Sequence, residues 1–221
     1  MELYHALNRG VDQRIIFHDS QDYARFIHDL YEFNDVEPAP EFSRRDGPNV
    51  GHTTSHIRKK LVDVHGWCLM KNHYHLLLSE RTEGGMSLFL RKLNVGYARY
   101  FNARHKRKGF LLQGRTKKIP VEQHAHFLYI LHYIHLIPLD YLPGAKDWRI
   151  RDENYILDAS KALKYLNSYR WSSLLDYCGT KNFPSLITTK SFTDTFDDYK
   201  KTIVNYLTES AENLPENLRL E

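Results

Sequence analysis

Cysteine is scarce in this chain: Cys68 and Cys178 are the only two among 221 residues. They stand far apart, with no further pair at zinc-ligand spacing, so neither a disulfide scaffold nor a cysteine zinc site is indicated. Both thiols suit a reducing compartment. Long apolar runs are missing as well; nothing approaches the roughly 18 residues that mark a membrane helix. The first residues, Met1 to Gly10, contain no apolar signal-peptide core. A cytoplasmic location and no membrane partner are therefore expected. There is no internal repeat and no low-complexity tract.

Net charge is only +4, from 31 Lys and Arg against 27 Asp and Glu, so the whole chain is at most mildly basic. The informative absence is local. Between Glu83 and Glu122 there is no Asp or Glu, while the same 38 residues hold ten cations: Arg91, Lys92, Arg99, Arg104, Lys106, Arg107, Lys108, Arg115, Lys117 and Lys118. An ordinary solvated surface mixes both signs. Phosphate backbones reward a concentration of one sign, because each neutralised phosphate releases counterions. Tyr97, Tyr100, Phe101 and Phe110 interleave with these cations. At helical spacing such aromatics usually belong to a core, although some could stack on unpaired bases.

With 42% hydrophobic residues the chain can bury a substantial core, in one domain with additions or in two small ones. Residues 3–7 read as a short strand, broken at Arg9-Gly10, which 14–17 extend or follow. Asp19 or Ser20 caps a helix to about Phe33, with Tyr23, Phe26, Ile27, Leu30 and Tyr31 on one face. Residues 34–56, with three prolines and two glycines, form a loop or insertion. Residues 57–79 form two strands meeting near Gly66, or one bent strand. After the turn at Glu83-Gly84-Gly85, positions 86, 89, 90, 93, 97, 100 and 101 trace an amphipathic helix ending near Arg104. Lys106 to Gly109 is a basic turn, and 110–115 is short and extended. A helix spans about Glu122 to Leu136 and stops before Pro138. Further helical pieces are expected at 159–167 and near 195–208, and Trp171 to Leu174 are expected to open another short one. The division expected is a domain over 1–179, with 34–56 inserted, and an extension over 180–221.

Two histidines flank a tyrosine in Lys71-Asn72-His73-Tyr74-His75-Leu76. On a strand, alternate residues share a face and lie roughly 6–7 Å apart. His73 and His75 can then address one divalent metal while Tyr74 and Leu76 enter a core. The plainer alternative is a solvated strand face. Tyr133, in His132-Tyr133-Ile134-His135-Leu136-Ile137-Pro138, closes a helix. Tyrosine can act as a covalent nucleophile. With a free pKa near 10 it needs help, which a metal that polarises the target supplies.

The motifs together resemble a known family, the single-tyrosine HUH transposases of insertion-sequence type, and among them the REP-associated tyrosine transposases. The resemblance covers roughly Tyr4 to Gly179 and rests on an ordered series. Tyr4-His5 with Arg9-Gly10 comes first, followed by Phe17 with Asp22-Tyr23 and Arg25-Phe26. The segment Cys68-Leu69-Met70-Lys71-Asn72-His73-Tyr74-His75-Leu76-Leu77-Leu78 comes next. Then stand Tyr97-Ala98-Arg99-Tyr100-Phe101-Asn102, Gln113-Gly114-Arg115, Tyr133-Ile134-His135-Leu136 with Pro138, and Tyr169-Arg170-Trp171-Ser172-Ser173.

This resemblance implies an α+β fold with a ferredoxin-like, RRM-like central antiparallel sheet. It also implies a metal-dependent single-stranded DNA endonuclease and strand transferase that binds hairpin DNA in a bacterial cytoplasm, at the nucleoid. His73 and His75 would hold Mg²⁺ or Mn²⁺, and Tyr133 would form a 5′-phosphotyrosine link. Candidate DNA contacts are Arg9, Arg14, Arg91, Arg99, Arg104, Lys106, Arg107, Lys108, Arg115, Lys117 and Lys118. A monomer or homodimer is implied. Two departures stand out: the family's Asn or Gln one turn after the tyrosine is Ile137, and its Pro before Asn72 is Lys71. Ile137 cannot ligate, so the alternative is a domesticated, cleavage-deficient hairpin-binding protein. A histidine-triad hydrolase does not fit, since Leu77 stands where its third histidine belongs.

Overall fold

Alternation governs the centre of the molecule. In the computed structural model, which describes residues 2–38, 58–121, 124–145, 148, 158–189 and 198–208, four strands form one antiparallel sheet. They are β1 (Leu3–Arg9), β2 (Val62–Met70), β3 (His73–Glu80) and β4 (Lys117–Pro120). Helices α1 (Ser20–Glu32) and α2 (Gly85–Arg104) connect them, so chain order is β1-α1-β2-β3-α2-β4 and sheet order β2-β3-β1-β4. That is the split βαβ arrangement of ferredoxin-like folds. α3 (His124–Leu136) follows, then a 3-10 turn at Ile137–Tyr141, α4 (Ala159–Ser168), α5 (Leu174–Tyr177) and α6 (Tyr199–Thr208).

The sheet is buried on both faces. One face presents Ala6, Val62, Val64, Trp67, Leu69, Tyr74, Leu76 and Leu78 to Phe26 and Leu30 of α1 and to Phe89, Leu93 and Tyr97 of α2. The other presents Leu3, Cys68, Met70 and Leu77 to Ile130, Leu131 and Ile134 of α3. Because successive residues alternate in facing, a one-residue shift exchanges these sets. β2 contains such a shift, an irregularity between Val64 and Gly66 opposite β3. It returns Trp67 and Leu69 to the α1/α2 face and sends Cys68 and Met70 to the α3 face. At Gly66 a Cβ would stand 2.8 Å from Leu131 Cδ1, so the end of that leucine on α3 occupies the space a side chain would take.

The helix boundaries match their expected caps and stops. Asp19 accepts from the amides of Gln21 and Asp22 and starts α1, and α2 ends at Arg104. Three expectations need correction. The turn between the central strands falls at Lys71-Asn72, not near Gly66, because the β2 irregularity keeps that strand running past its glycine. Residues 110–115 make only the isolated bridge Leu112–Gly10, and the fourth strand lies beyond them, at 117–120. The pattern hid that strand because all four of its residues are exposed; lysines and a proline on an edge strand are a common guard against unwanted pairing. Finally, the short helix expected to open over 171–174 does so only at Leu174, the start of α5, because Trp171 and Ser172 run extended beside β2, with Ser172 bridging Cys68. Most of the 34–56 segment lies outside the described residues.

Residues beyond 179 pack into the same cores. Leu186 joins the α1/α2 side, while Tyr199, Ile203 and Leu207 join the α3 side. His135 sits at the centre of that junction, sharing hydrogen bonds of 2.7 Å with Tyr199 Oη and with Ser173 Oγ. Burial, with a smaller contribution from His132, holds its pKa well below 6.5. His65, between Ser79 Oγ and the Thr188 carbonyl, is lowered for the same first reason. A base whose folded pKa is depressed contributes stability that is present above its unfolded value and lost as pH falls toward the folded one. The denaturant midpoint is therefore expected to fall between about pH 7 and pH 5, by at most ~1.4 kcal/mol per pH unit for each histidine. His135→Gln is expected to make that dependence shallower; a midpoint that rises on acidification would contradict the assignment.

Candidate functional site

Cross-strand register builds the site. β3 pairs with β1 so that His73 faces Arg9, His75 faces Leu7 and Leu77 faces His5. β4 adds Lys117 opposite Leu7 and Ile119 opposite His5, and β2 adds Met70 opposite His73 and Cys68 opposite His75. Partners in register share a face, so His5, His73, His75, Arg9 and Lys117 all lie on the α3 side. Tyr74, between the two histidines, points the other way and is fully buried, its hydroxyl donating to Asn94 Oδ1 at 2.7 Å.

α3 crosses this face and brings its tyrosines to the histidines. The Tyr133 ring stands edge-on to His75 at 5.7 Å and to His5 at 6.1 Å between centroids. Tyr129, one turn earlier, and Trp148 flank it, each at 6.2 Å. His73 lies 4.9 Å from His75, nearly perpendicular to it. Four rings thus converge: His5, His73, His75 and Tyr133. The first is one that reading the sequence for sites passed over. Tyr4-His5 entered only as a family motif, and nothing local in β1 shows that it meets a strand 70 residues later.

His5 is tied directly to the histidine pair. Its Nε2 shares a 2.8 Å hydrogen bond with His75 Nδ1, and the two rings are stacked at 5.0 Å. His73 Nδ1 is likewise engaged, 2.7 Å from Asn72 Oδ1. Metal-ligating histidines are usually oriented in this way, with one ring nitrogen held by a partner and the other left to bind. Two imidazoles oriented in this way are the chemical type of donor that a divalent ion takes. Among the described residues there is no cluster of three or more His, Cys, Asp or Glu arranged to hold a metal.

Ile137 supplies no third donor. It is 2% exposed, in the apolar core beneath the 3-10 turn. An asparagine placed there would bury an amide in that core, at a cost of about 1–3 kcal/mol if it found no partner. His135, two residues after Tyr133, points away toward Ser173 and Tyr199. Glu122 and Gln123 lie outside the described residues.

The acid-free stretch does not form one surface. Arg9 is exposed on the histidine face, its Nε donating to Gln113 Oε1 at 2.6 Å, and Arg115 and Lys117 are exposed nearby in the chain. Arg14 is half-buried, its Nε donating to the Val11 carbonyl. Lys118 turns to the opposite face and donates to Ser87 Oγ. Arg91, Lys92 and Arg99 line a cavity of about 300 Å³ on the α1/α2 layer, with Arg25 and Phe33.

Arg104 is committed to the fold. It binds Asp19 at 2.7 Å and the fully buried Asp22, and it helps hold the Asp19 carboxyl down at about 2. Lys106 and Lys108 are exposed in the turn after α2. Replacing those two by Ala, with Arg104 left intact, is expected to lower the salt slope of single-strand binding by about 1.4, or 0.7 per phosphate contact. An unchanged slope would remove them from the interface.

Two comparisons with known proteins give a match. Residues 51–136, which contain His73, His75, Tyr133 and the whole acid-free stretch, match the family model described as "Transposase IS200 like". Among solved structures, a REP associates tyrosine transposase bound to a REP hairpin is similar over 85% of this chain and 84% of its own, with a TM-score of 0.47 and 11% identity. A likeness that loose carries no argument about function. No curated protein matches the chain. The similarity to IS200-like transposases therefore lies in the segment 51–136.

Proposed function

We propose that this transposase-like protein binds single-stranded or hairpin DNA and cuts it through Tyr133, with His73 and His75 holding Mg²⁺ or Mn²⁺. The observation that carries the reading is the convergence of the Tyr133, His5, His73 and His75 rings on one sheet face. When bound, such an ion stabilises charge on the phosphate being attacked. The protein's own part is nucleophilic. The Tyr133 oxygen attacks phosphorus, a tyrosyl–phosphate bond forms, and the bond to the 3′ oxygen breaks. The phenolic proton is lost to solvent and the 3′ oxygen gains one, leaving a 5′-phosphotyrosine and a free 3′-OH. Attack by another strand's 3′-OH reverses the step and joins new ends. Phosphodiester energy is kept in the covalent link, so no nucleotide cofactor is consumed. Arg9, Arg115 and Lys117 are the cations best placed by register and chain position to meet the strand beside the histidines. Chromosomal DNA as substrate places this work at the bacterial nucleoid.

The test is a denaturing gel. Protein and a single-stranded hairpin are incubated with Mn²⁺, and a band that migrates as protein plus DNA is the expected product. Chelation of the metal is expected to abolish it.

A second reading is favoured by one observation: Ile137 is buried in the core and gives the site no third side-chain donor. On that reading the protein binds hairpin DNA and no longer cuts it. Tight binding with no adduct across several metals and strands decides for it.

A further inference from the structure

Phe110 is 87% exposed, whereas the next most exposed large hydrophobic among the described residues, Ile15, is at 48%. A single apolar side chain in water is ordinary by itself; the way this one is held is not. The other aromatics of the acid-free stretch are taken into the fold, with Tyr97 and Phe101 at 0% and 1% and Tyr100 donating to Asp22. Phe110 alone projects from the turn that follows α2.

That turn is built around Asn102. The Asn102 amide donates to the Gly109 carbonyl at 2.9 Å, and its Oδ1 accepts from Arg107 Nη1 at 2.8 Å. Lys106 and Gly109 both take left-handed backbone, at φ of 51° and 88°. Immediately after Phe110 the chain is pinned to the end of β1. The Val11 amide donates to the Leu111 carbonyl, Leu112 bridges Gly10, and the Gln113 amide donates to the Arg9 carbonyl. Arg9 is the register partner of His73. The backbone that carries Phe110 is therefore anchored to the end of β1 where Arg9 stands, and Lys106, Lys108 and Arg115, all exposed, are near it in the chain.

An exposed aromatic ring close in the chain to exposed Lys106, Lys108 and Arg115, in a stretch without Asp or Glu, matches one polyanion with apolar faces, an unpaired nucleic-acid strand. A duplex offers no unstacked base to the ring. We infer that Phe110 is a stacking platform for an unpaired DNA base flanking the phosphate presented to Tyr133. The inference rests on the single-strand binding proposed above and adds the element that positions the strand.

The experiment uses the full-length Tyr133→Phe protein, so that cutting does not intervene, and a fluorescent strand of about 15 thymidines. Phe110→Ala is expected to weaken binding about 5- to 150-fold, the range of one base–aromatic stack. The salt slope is expected to stay unchanged, since no charge is removed. Phe110→Trp is expected to retain affinity, and its indole fluorescence to be quenched by the thymidine strand but not by an abasic strand of equal charge. Equal affinity of Phe110→Ala and its parent would overturn the inference, as would a salt slope that falls with affinity or equal quenching by the abasic strand. The outcomes separate the two readings. Phe110-independent binding overturns only the platform, absence of an adduct in the unmutated protein overturns only the cutting, and no single-strand binding at all overturns both.

Discussion

Tyr133→Phe is expected to eliminate the covalent protein–DNA adduct completely while leaving single-strand affinity within about threefold. Phenylalanine keeps the ring and so keeps its contacts with His5, His75 and Trp148. It removes only the oxygen that would attack phosphorus. Because the ring is half-buried rather than sealed, the change in folding stability is expected to stay within about 1 kcal/mol. Tyr129 is the internal control. It lies one turn away, 4% exposed, with its ring 6.2 Å from that of Tyr133. Tyr129→Phe should preserve the adduct. An adduct that survives in Tyr133→Phe and disappears in Tyr129→Phe would move the nucleophile by one turn. An adduct that survives in both would remove α3 from the chemistry.

His5→Ala carries the second large effect, about 10- to 100-fold in metal affinity or cutting rate. His5 is not proposed to touch DNA or metal; it is a positioning residue. Its Nε2 engages His75 Nδ1 and fixes the plane of the ring, so that on the proposed reading Nε2 would be the ligating nitrogen. Without it, His75 can rotate and exchange tautomers, and each alternative removes a lone pair from the site. The decisive measurement is the metal titration of adduct formation. The Mn²⁺ concentration for half-maximal rate is expected to rise by that factor, with recovery of rate at saturating metal. His5→Gln, whose amide can still meet Nδ1, is expected to restore part of the shift. A uniform drop in rate at every metal concentration would instead show His5 to be a packing residue. The same titration probes the missing third donor, because a site with two protein ligands leaves its remaining positions to water and phosphate.

How much of this was legible in the amino-acid order depends on the length scale. The three long helices were, because apolar residues at three- and four-residue spacing define a face whatever that face meets. Asp19 as the start of α1 was, because a cap acts on its own helix. Tyr74 as a core residue between two histidines was, because strand alternation is local. The Lys71-Asn72 turn was not, since one irregularity in β2 resets the alternation and makes Gly66 look like the break. Nor was β4, whose four exposed residues carry no apolar pattern. The basic stretch read as one feature, yet Arg104 is held by Asp19 and Asp22, Lys118 turns to the α2 side, and Arg91 and Arg99 stand on the layer opposite the histidines.

The sequence by itself determined the scarcity of acids over 84–121, the helix faces, and that His73 and His75 look the same way. Those are consequences of composition and of periods of 2 and 3.6 residues, which need no distant partner. Only the tertiary structure decided that this shared face is the one α3 covers, that Tyr133 meets it, that His5 arrives from another strand to hold His75, and that Phe110 is left in water. The physical reason is register. Which residues oppose one another across a sheet is set by pairing over 70 residues of chain and by the packing of a helix on one chosen face, and neither is encoded within any single segment.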